Sequence, residues 1–210
     1  MLLRGKKIVV IGDSITEGVG ASSPEKRFTD VLASLIGADV YNYGIGGTGF
    51  GVVSKTGGVF ADRCRTVPND ENVVDIIIVF GGTNDFAQSK LGMGNDGECG
   101  NFSVIGGMTE VFTTLKKRFP RALVIAVSPL RRQTETVCNY ISGYDLDAIY
   151  RALKSVCEKM SVPMLDLYSG GNMYARIDER NKAYFTDGLH PNDLGHRLIA
   201  ERIAGFLRVL

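Results

Sequence analysis

The amino-acid sequence predicts a three-layer α/β/α sandwich built on about five parallel strands. Three observations predict it. Short apolar runs rich in β-branched residues recur along the chain, the strongest being VVDIIIVF from Val73 to Phe80. Amphipathic stretches with apolar residues at helical spacing separate these runs. The runs are near-continuous rather than alternating, which is the pattern of strands covered on both faces.

In chain order, Lys7 to Ile11 reads as the first buried strand. Phe28, Val31, Leu32 and Leu35 recur at i, i+3, i+4 and i+7 and mark a helix face. Pro24 suits the first turn of that helix, with Ser23 as its cap. Asp39 to Tyr43 is a second short strand, and Val73 to Phe80 is the third. Met108, Val111, Phe112, Leu115 and Phe119 mark a helix that Pro120 stops. Ala122 to Val127 is the fourth strand. A long amphipathic helix follows on Leu146, Ile149, Tyr150, Leu153, Val156, Cys157 and Met160. Pro163 to Leu167 is a weaker fifth strand. Ile199, Ile203, Phe206 and Leu210 line a final helix. Two segments, roughly 44–67 and 86–106, lack a core pattern and are rich in glycine and polar residues. Loops that long carry function or move.

A chain of 210 residues, 44% of them hydrophobic, fits one domain able to bury a core without metals or disulfides. The 24 basic and 23 acidic residues are interspersed, which argues against a nucleic-acid or polybasic membrane partner. The first apolar run ends at Ile11, too short for a signal-peptide core, and no stretch is long enough to span a membrane. A cytoplasmic location is the expectation. Cys64, Cys99, Cys138 and Cys157 are irregularly spaced, with no C-x-x-C, and only two histidines accompany them. Free thiols are expected, and no zinc site.

In an open α/β sheet, ligands bind beyond the carboxyl ends of the strands. After the first strand comes Gly12-Asp13-Ser14-Ile15-Thr16, and after the second Asn42-Tyr43-Gly44-Ile45-Gly46-Gly47. After the third comes Gly81-Gly82-Thr83-Asn84-Asp85, and beyond the fifth Asp187-Gly188-Leu189-His190-Pro191. A hydroxyl, a glycine loop, a carboxamide and a carboxylate–imidazole pair thus converge on one edge. Acyl transfer needs those parts. A serine hydroxyl becomes a nucleophile when a base takes its proton. A neutral imidazole serves as that base, and a carboxylate on its other nitrogen fixes the tautomer. The oxyanion needs preorganised N–H donors. Asp187 and His190 are three residues apart, so one tight turn can present them together. Pro191 fits the first turn of the last helix.

These stretches resemble the four ordered blocks of the SGNH, or GDSL, hydrolase family. GDSIT at Gly12 to Thr16 is similar to the first block, which implies Ser14 as nucleophile and amide donor. NYGIGG at Asn42 to Gly47 resembles the second, which implies Gly47 as an oxyanion donor, with Gly46 standing where serine is frequent. GTND at Gly82 to Asp85 resembles the third and implies Asn84 as a side-chain donor. DGLHPNDLGH at Asp187 to His196 resembles the last and implies Asp187 and His190 as orienting acid and base. The blocks span nearly the whole chain. The resemblance implies a flavodoxin-like fold and a carboxylic ester hydrolase that needs no metal or organic cofactor. It allows sugar deacetylation, lysophospholipid, thioester or short-chain ester cleavage. The segment from Gly92 to Gly107 has few large apolar residues, chiefly Met93, Phe102 and Ile105, so a small-molecule ester with a short acyl group is expected, acetyl on carbohydrate first.

Other readings compete. Gly44 to Gly49 satisfies G-x-G-x-x-G, but no helical period follows and it lies after the second strand, not the first, which argues against a nicotinamide enzyme. The G-x-S-x-G elbow of α/β-hydrolases is absent. A non-catalytic binding module would be expected to have lost one of the four block residues, and none is missing. His196, Asp13 and Asp85 are expected to be structural, and Arg131 and Arg132 solvated. Tyr140 and Tyr144 are as readily packed as placed in a cleft.

Overall fold

A computed structural model describes residues 2–52, 58–67, 74–135 and 143–210. Val73, Cys138 and Tyr140 lie outside the described residues. In chain order the elements are β1 (Lys7–Gly12), α1 (Ser14–Glu17), α2 (Phe28–Ile36), β2 (Asp39–Gly44), α3 (Phe60–Thr66), β3 (Ile76–Phe80), α4 (Thr83–Gln88) and α5 (Val104–Arg118). They continue with β4 (Leu123–Val127), α6 (Leu146–Lys159), β5 (Met164–Leu165), α7 (Leu167–Gly170), α8 (Asp178–Tyr184) and α9 (Asp193–Val209).

The strands form one sheet in the order β2-β1-β3-β4-β5, every pair parallel. Ile8 sits between Val40 and Ile76 in register, and Ile76 pairs in turn with Leu123. This is the flavodoxin-like order, whose direction of winding reverses between β1 and β3. The loop after β1, which carries Ser14, therefore opens at the switch point.

Alternation along the strands divides the core in two. Val9, Ile11, Ile77, Val79, Val124 and Ala126 face one way, onto a layer containing Phe60, Phe112 and Leu153 of α3, α5 and α6. Ile8, Val10, Ile76, Ile78, Ile125 and Val127 face the other, onto Phe28 and Leu32 of α2 and Ile199 and Ile203 of α9. Both faces of β1 and β3 are covered, which is why those strands are continuous apolar runs.

Several boundaries differ from the sequence expectation. Pro24 to Lys26 form a separate 3₁₀ turn, and Ser23 makes no side-chain cap; α2 starts after Arg27. Pro191 does not start α9. It bridges to Phe185, and the Asn192 side chain caps the helix by accepting from Gly195 N–H. The buried stripe of α9 runs through Ile199, Ala200, Ile203, Ala204 and Leu207, and Leu210 is exposed because it follows the last helical residue, Val209, although its i+11 spacing from Ile199 keeps the helical phase. The segments 44–67 and 86–106, expected to be loops, contain α3, the end of α4, the start of α5 and the fully buried Phe50, which packs edge-on against Phe60. Cys64 and Cys157 are buried free thiols, and Cys99 is an exposed one. Among the described residues no helix is long and apolar enough to cross a membrane.

Candidate active site

Gly12 ends β1 where no side chain fits. A Cβ there would lie 2.0 Å from Thr16 Oγ1 and 2.7 Å from the Phe80 carbonyl oxygen. The chain then turns directly into α1. The Asp13 carboxylate caps this short helix by accepting from Ile15 N–H at 3.0 Å. Ser14, at the first helical position, is held half-buried at the carboxyl edge of the sheet.

The far end of the chain meets it there. Ser14 Oγ lies 3.0 Å from His190 Nε2, and His190 Nδ1 lies 2.7 Å from Asp187 Oδ2. The other carboxylate oxygen, Asp187 Oδ1, accepts from the backbone N–H groups of Leu189 and His190, at 3.0 and 2.7 Å. One turn thus grips both the imidazole and the carboxylate that orients it. Burial alone would raise the Asp187 pKa, but the hydrogen bonds from the His190 backbone and ring and from Leu189 hold it below the usual carboxylate value. An ionised Asp187 places the imidazole proton on Nδ1 and leaves Nε2 free to accept from the Ser14 hydroxyl.

The second loop supplies backbone donors. Gly47 adopts φ +74°, a left-handed conformation that suits glycine. Gly46 N–H is already taken by Glu17 Oε2 at 2.7 Å, whereas no partner is found for Gly47 N–H among the described residues. The Thr48 hydroxyl closes this turn on the Ile45 carbonyl at 2.6 Å. From the third loop, Asn84 Nδ2 donates to the Thr48 carbonyl at 2.9 Å, and Gln88 Nε2 donates to Asn84 Oδ1 at 2.8 Å. These two bonds fix the amide orientation and leave the second Nδ2 hydrogen for a ligand. The five residues singled out by sequence, Ser14, Gly47, Asn84, Asp187 and His190, thus lie on loops and helix starts at the carboxyl edge of the sheet.

The neighbouring residues divide clearly. Asp13 is buried, and burial pushes it up to about 7 against the Ile15 N–H. Asp85 is fully buried and pushed up to about 6 by burial; it accepts from Phe50 and Gly51 N–H and latches the second loop to the third. His196 is buried and stacked on Phe28, with Nδ1 accepting from Phe28 N–H and Nε2 facing the Val19 carbonyl. Each of the three is buried and hydrogen-bonded to backbone groups of the scaffold. Arg131 and Arg132 are not simply solvated. Arg131 pairs with the buried Glu135 at 2.6 Å and lies over the rings of Tyr168 and Tyr174. Arg132 donates to Thr83 Oγ1 at 3.0 Å and lies over Phe86. Tyr144 is buried, its hydroxyl reaching the Asp85 and Leu91 carbonyls.

Sequence reasoning missed Glu17, Thr48, Arg63 and Gln88. Gln88 had a signal, an i, i+4 amide pair with Asn84, but only once the segment is read as a helix. The Gly44-to-Gly49 glycines do not open a helix; the next one among the described residues is α3, at Phe60. Among the described residues no group of three or more His, Cys, Asp or Glu side chains is arranged to hold a metal ion.

Comparison with known proteins finds a family and several relatives. The profile of the GDSL-like Lipase/Acylhydrolase family matches residues 10–198. A GDSL lipase of Mycobacterium tuberculosis is 29% identical over 207 residues, covering 94% of this chain and 79% of that protein. A GDSL esterase/lipase of Oryza sativa subsp. japonica is 28% identical over 142 residues, 63% of this chain; the chain spans 53% of that relative's length. The crystal structure of a protein from Lactobacillus plantarum, 29% identical, superposes with a TM-score of 0.86 over 99% of this chain and 98% of its own.

Proposed function

The chain belongs to the GDSL-like Lipase/Acylhydrolase family, and so to the carboxylic ester hydrolases, and from that premise we propose that it cleaves short-chain esters, acetyl on carbohydrate foremost, through an acyl-enzyme on Ser14. The observation that carries this reading is the unbroken line from Ser14 Oγ to His190 Nε2 (3.0 Å) and from His190 Nδ1 to Asp187 Oδ2 (2.7 Å).

Ser14 Oγ attacks the acyl carbon while its proton passes to His190 Nε2. Asp187 stabilises the imidazolium without itself becoming protonated. The carbonyl oxygen becomes an oxyanion held by Ser14 N–H, Gly47 N–H and the free Nδ2 hydrogen of Asn84. The tetrahedral adduct collapses as His190 returns its proton to the leaving alkoxy oxygen, releasing the alcohol. A water then attacks the acyl-enzyme, gives its proton to His190, and the acid departs as Ser14 recovers that proton.

Short acyl groups are supported by the fate of the large apolar residues in the Gly92-to-Gly107 segment. Met93 and Ile105 pack into the core, and Phe102 points into solvent at 88% exposure. Met93 and Ile105 are thus taken up by the core, which leaves Phe102 alone of the three, too little for a wall along a long hydrocarbon chain. A polyhydroxyl leaving group is supported by polar side chains flanking the donors, Glu17 at Gly46 N–H and Gln88 on Asn84. A series of nitrophenyl esters of increasing acyl length tests the reading. Turnover is expected to peak at acetate or propionate; a peak at medium or long chains would favour lysophospholipase or thioesterase chemistry instead.

A further inference from the structure

Beneath the site lies a cation that none of these steps uses. Arg63 of α3 is 6% exposed, its guanidinium stacked 4.9 Å over the Phe60 ring. Its Nη2 donates both to the Gly12 carbonyl at 2.8 Å and to Thr48 Oγ1 at 2.9 Å. Its Nε and Nη1 are buried with no partner among the described residues. A buried arginine with unsatisfied donors is costly, and burial lowers its pKa to about 10. The two bonds it does make are therefore informative.

Gly12 lies two residues before Ser14 and also accepts from Ile45 N–H at 3.1 Å. Thr48 follows Gly47; its hydroxyl holds the Ile45 carbonyl and its carbonyl holds Asn84 Nδ2. The segments bearing the Ser14 and Gly47 donors therefore meet at one guanidinium, and Asn84 is tied to them through the Thr48 carbonyl. We propose that Arg63 is a positioning residue for acyl transfer: by tying the Gly12 carbonyl to the Thr48 hydroxyl it sets the spacing between the Ser14, Gly47 and Asn84 donors. This rests on the site reading above. The guanidinium touches no substrate atom. Its effect is geometric, and misplacement of reacting groups by about 1 Å costs on the order of 10²-fold in rate.

The test compares Arg63→Met, Arg63→Lys and Thr48→Val with the parent and with Ser14→Ala. For every protein but Ser14→Ala, the concentration of reactive sites is measured by fluorophosphonate titration of a separate portion, and rates of the unlabelled enzyme are expressed per titrated site; Ser14→Ala is compared per folded protein. Arg63→Met is expected to lower kcat on an aryl acetate by about 10²-fold, with KM within about twofold. Affinity for an aryl boronic acid, whose adduct is tetrahedral, should weaken in parallel. Arg63→Lys, which keeps a donor in place, should recover part of both losses. Thr48→Val breaks the same tie from the other side and should lower kcat and boronate affinity even if Arg63→Met fails to fold. Parental kcat and boronate affinity per titrated site in the Arg63 and Thr48 variants would overturn the proposal while leaving the site reading intact. Undiminished hydrolysis by Ser14→Ala would instead overturn the site reading beneath it.

Discussion

The Asn84 side-chain amide donates to the Thr48 carbonyl 2.9 Å away, so the third loop is bonded to the second next to Gly47. The amide is anchored at its oxygen by Gln88, and only one N–H remains to meet a developing charge. Asn84→Ala removes that donor and the tie to Thr48 together. We predict a fall in kcat of about 10²–10³-fold with KM little changed. Steady-state kinetics on an aryl acetate check this, and a variant with parental kcat would remove Asn84 from the oxyanion site.

Two glycines at the end of β2 and just beyond it should respond unequally to the same substitution. A Cβ on Gly44 would lie 2.1 Å from the Glu17 backbone nitrogen and 2.5 Å from the Thr16 carbonyl carbon, both fixed in α1. Gly44→Ala must push helix and strand apart and is expected to cost at least about 1–3 kcal/mol. A Cβ on Gly46 meets the Glu17 carboxylate at 2.9 Å, the end of an exposed flexible chain, and then Ser14 Cβ at 3.6 Å. Gly46→Ala should lie within about 0.5 kcal/mol of the parent. Urea unfolding of the two variants measures the contrast; equal stabilities would show that α1 does not press on β2 as described.

His196 ties stability to pH. Burial keeps its imidazole below the ordinary histidine value, against the pull of the Val19 carbonyl. Below about 6.5 the unfolded chain takes up a proton that the folded protein refuses. The contribution of the neutral ring is thus present above that pH and lost as the pH falls. The melting-temperature gap between the parent and His196→Gln should narrow between about pH 8 and about pH 5.5. Asp13 and Asp85, raised by burial, act in the opposite sense but in both proteins alike. A gap that widens on acidification would mean that His196 is charged in the fold.

Much of this architecture is legible in the sequence, for reasons particular to its elements. β1 and β3 are covered on both faces, so burial writes them as unbroken β-branched runs. The site residues fall at strand ends because the parallel sheet leaves that edge open. α3 is not legible. Its sequence FADRCRT buries an arginine, which erases the apolar period that marks a helix. Arg131 reads as a surface cation because its partner Glu135 is itself an acid that the fold buries. Phe50 joins the core from a segment with no period at all. Such contacts depend on which loops meet, and local spacing does not encode that.

The central claim is that the Ser14 hydroxyl is activated by His190 and Asp187, and covalent labelling tests it most directly. A fluorophosphonate incubated with the protein should form one adduct, located by peptide mass on Ser14. Labelling should slow by orders of magnitude in His190→Ala, which lacks the base. An adduct on any other residue, or labelling of His190→Ala at the parental rate, would contradict the account.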